Sequence, residues 1–209
     1  MQGIPLEDAT ADFIVCQEGI EHFSDQYKVL KEFSRVLKNG GSLILTTPNY
    51  SNIRSKMSYF LAETERFNDM MPPNELDSVW MARPEISQEI YFGHIFLLGI
   101  QKLRVLAKLT GFSIKHIQFT RAKSTSLLLL PLFYPFIWLS NWLAYRKNLR
   151  KNKNYDKETL KTVYREIFKL NTNWRILIDG HLFVEFEKKQ APQEVVKYLQ
   201  SVHETFGKT

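Results

Sequence analysis

Apolar positions along the chain change their period several times, and each change marks an element. Residues 12–18 (Asp-Phe-Ile-Val-Cys-Gln-Glu) hold a short run of β-branched and aromatic types, the pattern of a buried strand. Over residues 25–37, Tyr27, Leu30, Phe33, Val36 and Leu37 fall on one helical face. Ser24 or Asp25 offers the N-cap, and Asn39-Gly40-Gly41 the stop, with the glycines read as a helix C-cap. Residues 42–47 read as a second strand, ended by the turn signal Pro48-Asn49. Strand, helix, glycine turn and strand make a βαβ unit, hence a parallel pair with a right-handed crossover.

Farther on the pattern loosens. Residues 50–94, with Met70-Met71-Pro72-Pro73 and several aromatics, are expected to form an insertion over the acceptor side of the sheet. A helix is predicted over 97–110 (Leu98, Leu103, Leu106, Ala107, Leu109), stopping at Gly111, and a strand over 112–120. Residues 127–144 are strongly apolar and 156–170 are an amphipathic helix. Residues 176–187 are predicted as a last strand around Gly180, with Leu182, Val184 and Phe186 alternating with Phe183, Glu185 and Glu187. A short helix over 192–205 closes the pattern, and no internal repeat or low-complexity tract interrupts it.

Composition places the chain among globular proteins: 44% hydrophobic and 24% charged. The aromatic share of 13%, with 15 Phe, implies large apolar surface to bury or to offer to a lipid or partner. A single cysteine, Cys16, excludes an internal disulfide framework and a Cys-based zinc site, and no metal ligand set stands out. A reducing compartment fits, and the first residues lack the basic and apolar regions of a signal peptide. The cytoplasm is therefore expected, with a peripheral position at a membrane as a second reading. The net charge of +6 is local: between Arg121 and Lys169 stand eleven Lys or Arg against three acids. That concentration argues for a local anionic partner.

The run Asp12-Phe13-Ile14-Val15-Cys16-Gln17-Glu18-Gly19-Ile20-Glu21-His22-Phe23 carries more than a fold signal. It resembles the fourth strand and following turn of class I S-adenosylmethionine (SAM) dependent methyltransferases, of the type 11 and 23 kind. Arg35-Val36-Leu37-Lys38-Asn39-Gly40-Gly41 is similar to that family's Arg-Val-Leu-Lys-Pro-Gly-Gly turn, with Asn39 in place of Pro. Residues 43–49 resemble the fifth strand with its Thr-Pro-Asn ending, and His94 with 106–112 resembles the approach to the sixth. The resemblance implies an α/β fold: a partial Rossmann-like sheet, strands four to seven, with helical insertions. It implies SAM as cofactor, with Cys16, Gln17 and Glu18 at its methionine part and Thr47, Pro48 and Asn49 on the substrate side. His22 and His94 become candidate catalytic residues, as general base toward a hydroxyl acceptor. Each has a structural alternative: Glu21-His22 as a helix N-terminal pair, His94 as a core histidine, and Cys16 as a small buried hydrophobe.

The family's acidic residue and Gly-x-Gly-x-Gly turn, where backbone meets cofactor, have no counterpart in these 209 residues. The whole of 1–209 is accordingly expected to be a partial methyltransferase domain. A fragment, a mis-started reading frame or a decayed gene would account for that, ahead of a two-chain enzyme. Residues 12–17 are then expected as an exposed apolar strand edge, open to self-association. Two functions follow: SAM-dependent methyl transfer to a small-molecule or lipid-linked acceptor as part of a complete chain, or a truncated, non-catalytic remnant or interaction module.

The segment 121–170 is expected as an apolar and basic insertion. Leu127 to Leu139 contains Pro131 and Pro135, Arg121 and Lys123 precede it, and Arg146, Lys147, Arg150, Lys151 and Lys153 follow. Trp138, Trp142, Tyr134 and Tyr145 favour headgroup level. Three readings stand: a buried cap over the acceptor pocket, an interfacial segment on an anionic membrane surface, or a membrane span. The Lys and Arg residues are not interleaved with stacking aromatics, so nucleic acid is not the expected partner.

Overall fold

The structure is a computed structural model and describes residues 3–76, 79–81, 90–151 and 155–206. Lys153 of the basic stretch, and residues 77–78 and 82–89 of the 50–94 segment, lie outside the described residues. Four strands form the main sheet: β1 (Ala11–Gln17), β2 (Leu37–Pro48), β5 (Phe112–Gln118) and β6 (His181–Lys188), in the order β1-β2-β6-β5. β1 pairs β2 in parallel, as the βαβ reading requires. β6 runs antiparallel between β2 and β5. A two-stranded ribbon, β3 (Val79–Met81) with β4 (Ile90–Phe92), stands apart.

Helix α1 (Gln26–Val36) forms where the apolar spacing placed it. The Asp25 carboxylate caps it by accepting from Lys28 N at 2.9 Å, and Val29, Leu30, Phe33 and Val36 are buried. The glycines do not end it. Leu37 is already extended, and Asn39, Gly40 and Gly41 bulge out of β2, so that Ala11 faces Leu37 while Phe13 faces Ser42. Gly40 has φ +81°, and a Cβ on Gly41 would lie 2.9 Å from Lys38 O. The pair is a strand bulge, not the predicted helix C-cap.

Two further expectations need correcting. Residues 50–94 are not wholly irregular: α2 (Ile53–Ala62) starts there, with Asn52 Oδ1 accepting from Ser55 N. Its buried face includes Ser55 and Ser58, so hydrophobic spacing could not reveal it. Residues 176–178 are not strand but the end of α6 (Trp174–Ile178), where Ile176, Leu177 and Ile178 bury together. β6 then alternates as predicted, with Leu182, Val184 and Phe186 at 0–1% exposure.

These residues form one core with Leu43 and Leu45 of β2, Phe112 of β5, α1, and Leu103 and Ala107 of α3 (Ile100–Leu109). α3 ends at Gly111, as predicted; its φ is +88°, and a Cβ there would collide with Gln190 O. β1 closes one margin of the sheet, and its Phe13 and Val15 are 50% and 58% exposed. The apolar strand is therefore an edge, half in water.

The segment 121–170 becomes two packed helices, α4 (Ser124–Lys151) and α5 (Lys157–Asn171). Asp179 joins them to the sheet. Its carboxylate, buried to 3% exposure, accepts from Thr120 N and Oγ1, Arg121 N and His181 N. α7 (Pro192–Phe206) completes the described chain.

Candidate functional site

Pairing directions bring four strand ends to one place. β1 and β2 finish there, β5 finishes there too, and β6 begins there because Pro48 pairs His181. In an open α/β sheet, ligands bind beyond these C-terminal strand ends.

At the tip of β1, Cys16 is buried and Gln17 and Glu18 are exposed. Burial pushes the Cys16 thiol up to about 11, helped by the nearby Glu21 charge, so it behaves as a small apolar group. Glu18 has φ +44°, a left-handed conformation that costs a residue with a side chain roughly 1–3 kcal/mol. Its N–H is held by Thr46 O at 3.0 Å and Thr46 Oγ1 at 3.2 Å. The strained turn swings the chain away from β2 into a 3-10 turn, Ile20–His22, and leaves the Glu18 carboxylate 3.9 Å from His181 Nε2.

Glu21 is the residue whose role the sequence concealed. It is fully buried; Thr47 Oγ1 donates to its Oε2 at 2.9 Å, while its Oε1 has no hydrogen-bond partner among the described residues. A buried carboxylate oxygen without a partner is costly and calls for a ligand. Thr47 is thereby buried and committed to Glu21. Nothing in spacing alone announced this pair, because Glu21 and Thr47 meet only through the β1–β2 register.

His22 sits beside it. Its Nδ1 lies 2.8 Å from Phe92 O, and since a carbonyl can only accept, Nδ1 carries the proton there. A neutral His22 then has its lone pair on Nε2. The His94 ring is exposed, with its centroid 5.1 Å from that of His22. The segment carrying His94 is tied down by Gln26, whose amide donates to both Ile20 O and Phe96 O. One ligating atom each of Glu21, His22 and His94 lies within 4.8 Å of the others. Two ligands of one divalent cation stand about 3 Å apart, so modest side-chain shifts would let this trio hold one. The sequence reading named no such set, as Glu21 and His94 lie far apart in the chain.

The tip of β2 divides in role. Asn49 donates from Nδ2 to Ile176 O at 2.7 Å and Asp179 O at 2.9 Å, and its Oδ1 accepts from Ser51 N. Both amide protons are spent on pinning β2 to α6. Pro48 and Asn49 also border a cavity of about 220 Å³ lined by Tyr50, Arg54, Glu65 and Lys123. Burial, then the Glu65 charge, pushes the Tyr50 hydroxyl pKa up, keeping it a neutral donor. A larger cavity of about 380 Å³ lies at the other end of the strands, beside Asp8, Lys28, Glu32 and Lys188, away from these groups.

Residues 1–45 match the family model for a methyltransferase domain. The chain is 47% identical over 45 residues to the dimethylglycine N-methyltransferase of Parasynechococcus marenigrum, covering 22% of this chain and 16% of that protein. It is 28% identical over 94 residues to the ubiquinone biosynthesis O-methyltransferase of Xanthomonas oryzae pv. oryzae, covering 41% of this chain and 39% of that protein. Among solved structures, a SAM-dependent methyltransferase from Archaeoglobus fulgidus aligns over 88% of this chain and 62% of its own, at 14% identity and a TM-score of 0.41. The alignments to both curated relatives thus span well under half of those proteins.

Proposed function

We propose that this chain, whose residues 1–45 match a methyltransferase-domain model, holds the later strands of a class I SAM-dependent methyltransferase sheet and supplies the acceptor half of a methyl-transfer site. The observation that carries this is the strained tip of β1. Glu18 at φ +44° turns the chain at the end of a parallel pair, beside a buried carboxylate with one oxygen unpartnered among the described residues and two neighbouring imidazoles. The residues present suit one side of the cofactor: Cys16, Gln17 and Glu18 would border its methionine part. SAM, when bound, supplies a sulfonium methyl group as electrophile. Thr47 and Glu21 keep the floor of the site dry and fixed, Pro48 and Asn49 shape the mouth of the neighbouring cavity, and His22 Nε2 takes the proton of an acceptor hydroxyl. His94 is the second candidate for that proton. Positioning supplies much of the acceleration in such an in-line displacement.

The acceptor is a small molecule, and a lipid-linked one is the finer reading, supported by the exposed apolar helix α4. The cytoplasmic face of a membrane is the corresponding location. Calorimetry with SAM and the protein tests the proposal: micromolar binding that Glu18→Ala weakens at least tenfold supports it, and no binding at millimolar SAM overturns it. A specific observation favours a second reading, an interaction module. β1 leaves Phe13 and Val15 exposed on an open sheet edge, a surface suited to strand pairing or self-association. Absence of SAM binding together with concentration-dependent dimerisation would select it.

A further inference from the structure

Helix α4 has two unlike sides. The inner side is bound along its length. Ser126 Oγ accepts from Arg54 N, Tyr134 OH donates to Thr172 O at 3.1 Å, and the Asn171 amide donates to Asn141 Oδ1 at 2.8 Å. The Trp138 and Tyr145 rings rest on Phe168 of α5. From Ser126 to Tyr145 this anchorage runs over roughly 28 Å of helix.

The outer side is apolar and uncovered. Leu128, Leu132, Phe136, Leu139 and Leu143 are 47–80% exposed and recur at helical spacing as one stripe. Singly scattered apolar residues are ordinary on a soluble surface; a stripe of this length marks an interaction site. No acid occurs between Ser124 and Lys151, and the helix ends in Arg146, Lys147, Arg150 and Lys151. The Arg146 guanidinium lies 4.8 Å from the Trp142 ring centre, pairing a headgroup-seeking aromatic with a phosphate-seeking cation.

We propose that α4 lies in the plane of an anionic lipid bilayer surface. Its outer stripe enters the boundary between headgroups and acyl chains, and its terminal cations meet lipid phosphates. Length and composition alone would also permit a span. The packing argues against one. α5, fastened to the inner side, carries Lys157, Glu158, Lys161, Arg165, Glu166 and Lys169, and a spanning α4 would draw these charges into hydrocarbon. The charge of α4 also selects the occupant: cations without acids complement an anionic surface.

This docking deepens the lipid side of the proposed function, yet flotation without SAM or acceptor tests it alone, so that either idea can fail by itself. The protein is floated with phosphatidylcholine vesicles and with phosphatidylcholine–phosphatidylglycerol vesicles. Binding is expected on both, much tighter on the anionic ones. Leu128→Glu/Leu132→Glu/Phe136→Glu should abolish it while leaving the circular dichroism spectrum unchanged, since these side chains face outward. Neutralising Arg146, Lys147, Arg150 and Lys151 to Gln should weaken binding to the anionic vesicles by roughly a hundredfold or more and barely alter the neutral ones. Failure to float with either vesicle overturns the proposal, as does a triple-Glu variant that floats like the parent. Resistance to alkaline carbonate extraction would assign a span and overturn the in-plane geometry. A dimer dissolved by the triple-Glu change, without flotation, would assign the stripe to a second copy and also overturn it.

Discussion

Strand β6 and helix α4 carry similar runs of large apolar side chains and treat them oppositely. In β6, Leu182, Val184 and Phe186 are at most 1% exposed, whereas in α4 Leu128 is 80% and Phe136 67% exposed. β6 has a strand on each side and core residues of α1 and α3 over its apolar face; α4 is packed on one side only. Apolar composition says that a surface must leave water. It does not say whether the protein or some other phase receives it.

The contrast is broken most directly by truncation at matched positions. Phe186→Ala should lower the unfolding free energy by about 3–5 kcal/mol, since neighbouring core side chains cannot collapse onto the cavity. Leu128→Ala should change it by no more than about 0.5 kcal/mol. Urea denaturation of the two variants measures both. Similar losses would mean that the outer face of α4 is covered in solution.

The two regions meet at Asp179, and the next largest effect is expected there. Asp179→Ala leaves Thr120, Arg121 and His181 donors without their acceptor in a buried setting, a loss of about 3 kcal/mol. Limited proteolysis should then cut first between β5 and α4. Cleavage elsewhere would show that the junction does not depend on this carboxylate.

How much of this the sequence disclosed follows the same division. The β1–α1–β2 unit was legible because one period of apolar residues per element suffices when each element has one buried face. Strand β6 was legible from Leu182, Val184 and Phe186, but its start was misplaced, since Ile176, Leu177 and Ile178 are equally apolar in a helix and a strand. Helix α2 was hidden by its small polar inner face. Gly40-Gly41 looked like a helix stop because a bulge and a C-cap ask for the same backbone freedom. At the site, Gln17, Glu18, Pro48 and Asn49 were placed at strand tips by pattern alone. The Glu21–Thr47 bond and the closeness of His22 to His94 required tertiary register, which spacing does not encode.

A smaller effect belongs to the sheet region alone. Glu32 accepts from Ile4 N at 2.8 Å and pairs with Arg35, which holds its carboxyl near about 2, below the ordinary 4.5. The folded-state value is the depressed one, so this contribution is complete above pH 4.5 and is lost as pH falls from there toward 2. Stability measured against pH should decline through that window, and Glu32→Gln should flatten that part of the curve. If the variant declines as steeply as the parent, other carboxylates carry the acid sensitivity.

An effect of opposite sign, and small, is expected at Glu18. Its φ of +44° is unfavourable for any residue with a Cβ, while glycine adopts it freely. Glycine also has a floppier unfolded chain, which offsets part of the relief. Glu18→Gly should therefore stabilise the protein, by about 1 kcal/mol at most. A position held in a strained conformation by a side chain that stability would discard is one where the side chain serves something else. Glu18→Gly should then melt higher and bind SAM more weakly. A variant that is less stable would show instead that the Glu18 side chain supports the fold, through contacts such as its approach to His181. The strained strand tip would then belong with β6, among features kept for folding, and not with the uncovered face of α4.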